Sequence, residues 1–225
     1  MMAELSEPEL SAIALFPLPR VVLLPGTIME LHVFEPRYRA MIADCMLEQR
    51  MCLVVVQLRP GYEASYHERP AIQRVGGAGR ITACKHNPDG TYDIALQGQS
   101  RVALNELDAG GKPYRRARAQ VLPDVTQGAP PDPSELAALW SLAVQVTELV
   151  RKQRGAPVQL QGSATTPAAH LIDLVADQLI ADPVLRQTLL QTREVHARLQ
   201  LTKAHLAKLH LALLHASNPA PSTLH

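Results

Sequence analysis

The run LFPLPRVVLLPGTIMELHVFEPRYRAM, residues 15–41, limits what this chain can fold into more than any other stretch. It is apolar enough to be buried. Yet Pro17, Pro19, Arg20, Pro25 and Glu30 interrupt it well short of the roughly 18 uninterrupted apolar residues that cross a bilayer. A membrane anchor is therefore ruled out as the reading, and short buried strands remain. Residues 21–24 (VVLL) form a continuous β-branched and leucine run, suited to a strand buried on both faces. Pro25-Gly26 is a turn signal. Residues 28–34 alternate, with Ile28, Glu30 and His32 on one face and Met29, Leu31 and Val33 on the other.

Glu35-Pro36 then opens a helix, because proline suits the first helical position and an acid complements the dipole there. Tyr38, Met41, Ile42, Cys45 and Met46 make its apolar stripe. Residues 51–58 (MCLVVVQL) read as the next buried strand, and residues 59–71 as a polar loop. Further strands are expected over 80–86, 91–97, 100–107 and 114–122, with a turn at Pro88-Asp89-Gly90 and a break at Gly98. The character changes at the proline-rich segment 122–135, after which everything reads as helix. Helices are expected over 134–152 with Ser134 as cap, over 167–181, and from Pro183, with bends, to about Ala216. Two parts follow: residues 1–124, rich in strands, and residues 125–225, a helical bundle.

Charge narrows the partners. The net charge is +1, with 14 basic and 14 acidic residues through Asp124 and 8 against 7 beyond it. Neither part has the basic surface of a dedicated polyanion binder, so nucleic acid is disfavoured. The knot YRRAR, residues 114–118, reads as an edge strand guarded by charge. The three cysteines, Cys45, Cys52 and Cys84, form no CxxC and read as reduced core thiols of a cytoplasmic protein. The acidic opening MMAELSEPEL is the opposite of a basic leader.

The motifs that could carry chemistry fail in turn. His196, His205, His210 and His215 are spaced so that the later rings point in different directions around a helix, so no metal site is expected. GGAGRI, residues 76–81, leads into a strand and lacks the lysine of a phosphate loop. There is no GxSxG and no SxxK. No catalytic residue and no cofactor is expected. The loop 59–71 carries Tyr62, Tyr66 and His67, a candidate contact rim, since loops on a rigid scaffold tend to carry contacts.

These residues resemble the Lon amino-terminal domain family. The opening motif LFPLPRVVLLPGTIMELHVFEPRYRAMI, then VGGAGRI, PDGTYDIALQGQSRVAL, YRRARAQVLPD and LVADQLIADPVLRQTLLQTREVHARL, stand in the family's order over about residues 13–215. Glu30 departs from the pattern, which more often has proline there. The resemblance implies an α+β fold: a PUA-like β pseudo-barrel with one helix, followed by a C-terminal helical bundle. It implies a non-catalytic polypeptide-binding or adaptor module, similar to the substrate-recognition domain of Lon-type (peptidase S16) proteases. The partner would be unfolded or tagged polypeptide, or a protease. RNA binding through the barrel and a small-molecule site between barrel and bundle are the alternatives. Within this frame Phe34, Glu35, Pro36, Arg37 and Tyr38 form a structural corner, with Glu35 bracing Arg37 or Arg39.

Overall fold

A computed structural model of the chain describes residues 5–66, 68–108, 110–126, 130–154, 160–163 and 165–217. The elements run α1 (Glu7–Leu10), β1 (Ile13–Leu18), β2 (Ile28–Val33), α2 (Pro36–Leu47), β3 (Cys52–Gln57), a 3-10 turn (Tyr62–Ser65), β4 (Val75–His86), β5 (Tyr92–Leu107), β6 (Arg116–Val121), α3 (Pro133–Arg154), α4 (Ala168–Leu179), α5 (Pro183–Gln191) and α6 (Val195–Ser217). The fold is mixed α+β, as the resemblance implied.

The strands close on themselves. β1 runs parallel to β3 and antiparallel to β6, β3 joins β4, β4 joins β5, and the far half of β5 returns to β6. β2 stands outside this ring and pairs with the first half of β5, Ile28 opposite Gln97 through Val33 opposite Tyr92. β3 is buried on both faces. Leu53 and Val55 join the cluster that holds Tyr38, Met41 and Ile42 of α2, while Cys52, Val54 and Val56 join Ile13, Leu15 and Val102 on the other side.

The first strand differs from expectation. It occupies Ile13–Leu18, and residues 21–24 have no strand pairing, with 22–24 buried. Leu23 and Leu24 instead lay their backbone across β4 and β5. A Cβ on Gly77 would stand 2.0 Å from the Leu23 carbonyl oxygen, and one on Gly98 2.2 Å from that of Leu24. The glycines of VGGAG therefore serve close backbone approach rather than flexibility. Gly98 likewise does not break β5; the irregularity is a bulge, where Gly79 pairs with Gly98 and Ala78 with Ser100. β6 is flanked by β1 and β5, so YRRAR leads into an interior strand and not an edge.

Two compact units result. One takes residues up to Pro123 together with Pro183–Gln191; the other takes Asp124–Asp182 and the chain from Thr192. α5 thus stands with the strands: Arg186 Nη2 donates to Val22 O at 3.2 Å and Gln187 Nε2 to Val75 O at 3.0 Å. In the second unit, Leu139 and Ala143 of α3, Leu171, Ile172 and Val175 of α4, and Leu199 and Leu206 of α6 share one apolar cluster. Beside it the fully buried Arg198 pairs with Asp124 at 2.6 Å and Asp173 at 3.8 Å. The expected continuous last helix is two helices. Between them Glu194 caps α6, accepting from the backbone N–H of His196 at 3.0 Å and from that of Ala197. The cap of α3 is Asp132, which accepts from Ser134 N at 2.7 Å, and not Ser134 itself.

Candidate polypeptide-contact site

The corner between β2 and α2 is built as follows. Glu35 has an extended backbone, φ −63° and ψ 132°, and its carbonyl accepts from the N–H of Tyr38 and of Arg39, each at 2.9 Å. Pro36 takes the first helical position, where no N–H is needed. The Glu35 carboxylate does not cap the helix. One oxygen accepts from Arg37 Nε at 2.9 Å, the other from the Tyr66 hydroxyl at 2.9 Å. The Arg37 guanidinium lies 4.6 Å from the centre of the Tyr38 ring and 5.4 Å from that of Tyr66. The Tyr62 and Tyr66 rings are 6.2 Å apart, tilted. Arg39 takes no part in this brace and stands against Gly90, where a Cβ would meet its Nη2 at 2.1 Å.

The structure thus brings Tyr66 of the 59–71 loop, with Tyr62 beside it, to the corner motif, although the two are some thirty residues apart in sequence. His67 lies outside the described residues. Phe34 points away from the corner: it is 62 % exposed and stacks beside His32 at 6.2 Å.

Next to this cluster is a cleft of about 160 Å³, lined by Pro17, Arg37, Tyr38, Arg69, Lys112 and Tyr114 among others. Its floor is Tyr38, whose hydroxyl donates to Pro17 O at 3.1 Å and whose ring lies 4.5 Å from Phe16. Its cations are neutralised in place. Arg69 Nη2 and Arg115 Nε both donate to Glu106 Oε1 at 3.0 Å, and Lys112 Nζ meets Asp44 Oδ2 at 2.9 Å. The Lys112 ammonium, opposed by burial but joined by the Tyr114 hydroxyl, holds Asp44 below its usual range. Burial raises Glu106, but Arg115 and Arg69 outweigh it and leave the carboxyl below its ordinary value. A cleft with its charges so paired gives little purchase to a polyanion. Nothing in the sequence marks Arg69, Lys112 and Arg115 for this cleft. Only the fold sets them beside Arg37.

The groups here suit contact more than bond-making. Burial pushes the phenols of Tyr38, Tyr66 and Tyr114 up, so all three stay protonated at neutral pH. The buried thiols of Cys45 and Cys52 are pushed up to about 12 and are inert. Among the described residues no three His, Cys, Asp or Glu side chains gather as a metal site, and no helix is long and apolar enough to cross a membrane.

Residues 12–208 match the family model of the ATP-dependent protease La (LON) substrate-binding domain. The chain belongs to this family. Among its relatives, the LON domain is 28 % identical over 170 residues to the Lon protease of Anaeromyxobacter dehalogenans, covering 74 % of this chain and 19 % of that protein. It is 29 % identical over 166 residues to Lon protease 2 of Myxococcus xanthus, covering 72 % and 19 %. The chain therefore spans about a fifth of the length of the curated relatives it matches. Solved structures share its fold. The Lon N-terminal domain protein of Xanthomonas campestris has a TM-score of 0.58 at 24 % identity, covering 86 % of this chain and 98 % of that one. The N-terminal domain of Mycobacterium avium complex Lon protease has a TM-score of 0.65 at 13 % identity, covering 88 % and 98 %.

Proposed function

We propose that this LON domain binds polypeptide without acting on it chemically, as a recognition or adaptor module, and that its contact surface is the cleft lined by Arg37 and Tyr38 together with the neighbouring Tyr66 and Tyr62. The observation that carries this reading is the match of residues 12–208 to a substrate-binding domain model. The cleft's chemistry supports it. Tyrosine rings offer flat apolar area with little entropy to lose, and the Arg37 guanidinium has more N–H donors than Glu35 takes up, for the carbonyls that any extended chain presents. Protonated phenols and inert thiols offer no nucleophile or base.

Unfolded polypeptide is the partner this surface suits best, since a folded one hides both its carbonyls and its apolar side chains. A photo-crosslinker placed at Tyr62 tests the site. Chemically unfolded polypeptide is expected to be captured several-fold more than the same polypeptide in its native fold, and intact. Equal capture of both, or capture undiminished when the crosslinker is moved to Val144 of α3, would set this reading aside.

A further inference from the structure

We propose that the free edge of β2 is a self-association surface, on which two copies of this chain pair β2 with β2, antiparallel, about a two-fold axis at Leu31. Among the described residues β2 pairs with β5 alone. Gly98 N donates to Thr27 O at 2.9 Å, so strand alternation turns the backbone groups of Met29, Leu31 and Val33 toward β5. Those of Ile28, Glu30 and His32 face outward. The Thr82 hydroxyl agrees: it donates to Ala95 O, on the far side of β5, and Ala95 is the residue opposite Glu30. An open row of N–H and C=O groups is a template for another strand. β2 has no proline, no lysine and no bulge in its pairing with β5 to guard that edge.

The side chains on this edge select the occupant. Ile28, Glu30 and His32 share the face turned away from the core, and Phe34 follows them in the same alternation; Ile28 is 63 % and Phe34 62 % exposed. Antiparallel pairing about Leu31 sets Glu30 opposite the partner's His32 and Ile28 opposite the partner's Phe34, each twice by symmetry. Glu30 has no hydrogen bond or ion pair among the described residues. His32 Nδ1 donates to Asp93 at 2.7 Å, so Nε2 donates to the partner's Glu30 when the imidazole is protonated. The same register matches outward-facing backbone groups with outward-facing ones, so the charged pairs are also the hydrogen-bonded pairs. Centring the axis on Glu30 would instead set two carboxylates against each other. An arbitrary unfolded segment could use the same backbone groups, but nothing in it need match this order of apolar, acid, imidazole and aromatic.

Sedimentation of the full chain across a concentration series tests this. The wild-type chain is expected to form a concentration-dependent dimer. E30K sets an ammonium opposite the partner's imidazole, and H32E sets two carboxylates together, so each alone should weaken the dimer about tenfold. An equimolar mixture of E30K and H32E restores both charge pairs and should recover the affinity. E30P, which removes only an outward N–H, should abolish pairing while circular dichroism stays that of the wild type. A wild-type monomer at every concentration, single variants that dimerise as the wild type does, a mixture of folded variants with no recovery, or an E30P dimer would each overturn the proposal. So would a monomeric wild type whose binding of an unfolded polypeptide is lost in E30P, because the occupant would then be a foreign strand.

Discussion

Gly77 and Gly98 have ordinary strand backbones, yet no other residue fits them. A Cβ at either would stand 2.0–2.2 Å from a carbonyl oxygen of the 21–24 segment, well inside contact distance, and backbone on both sides leaves nothing to move cheaply. G77A and G98A should each cost about 2–3 kcal/mol in urea unfolding, at the high end for overpacked sites. A loss under about half a kilocalorie would mean that the segment does not lie where it is described. That these glycines serve close backbone approach was not legible in VGGAG, because Leu23 and Leu24 are far away along the chain. Glu35 is the converse case. Its part in a local brace with an arginine could be read from EPRYR, but its bond to Tyr66 could not. E35A and Y66F should each lower stability by about 1 kcal/mol. Together they should cost less than the sum, since both remove the same hydrogen bond. Additive losses would separate the loop from the corner. Glu9 supplies a pH effect. Burial raises its carboxyl, but Ser6 and Arg80 outweigh this and hold it at about 2 against an ordinary 4.5. A lowered folded value means the stabilisation is whole above 4.5 and is lost as the pH falls toward 2. R80M removes the Arg80 share of this lowering while Ser6 keeps its own, so it should make the acid limb of a stability profile shallower in that window, and an unchanged limb would contradict the pairing.

At the scale of elements, apolar periodicity located most strands and helices, and it failed where tertiary packing decided. Residues 21–24 satisfy a strand template but are held by burial under β4 and β5. β1 contains Pro17, which normally argues against a strand, and it still pairs with β3 because that position needs no ladder N–H. β6 read as a guarded edge because its arginines alternate, although it is flanked on both sides. The break between α5 and α6 was missed because Thr192, Arg193 and Glu194 interrupt no stripe; Glu194 reveals itself as a cap only through the N–H groups of His196 and Ala197. E194A should lower the stability of the α3–α4–α6 unit by about 1 kcal/mol, read from hydrogen exchange in the first turn of α6. Unchanged exchange there would show that the cap contributes nothing.

At the scale of the whole molecule, the chain passes between its two units at Pro123–Asp124, Asp182–Pro183 and Gln191–Thr192. The proline-rich segment marks the first passage in the sequence. Nothing in the apolar stripe of α5 marks which unit it packs against. The family was legible because its motifs are the parts that shape the barrel: the proline-bounded start, the glycines under residues 21–24, and the Glu35-Pro36 corner. The candidate site was legible only in its tyrosines and in the corner motif. Its cations come from Arg37, Arg69, Lys112 and Arg115, which only the folded barrel gathers. The most direct test of the central claim, recognition of polypeptide without chemistry, is a fluorescence-anisotropy titration of this chain into a labelled, permanently unfolded polypeptide, with the intact mass taken at the end. Saturable binding with a dissociation constant of roughly 1–100 µM and an unchanged mass is the predicted result; no saturable change at several hundred micromolar chain, as an order of magnitude, or the appearance of cleavage fragments, would contradict it.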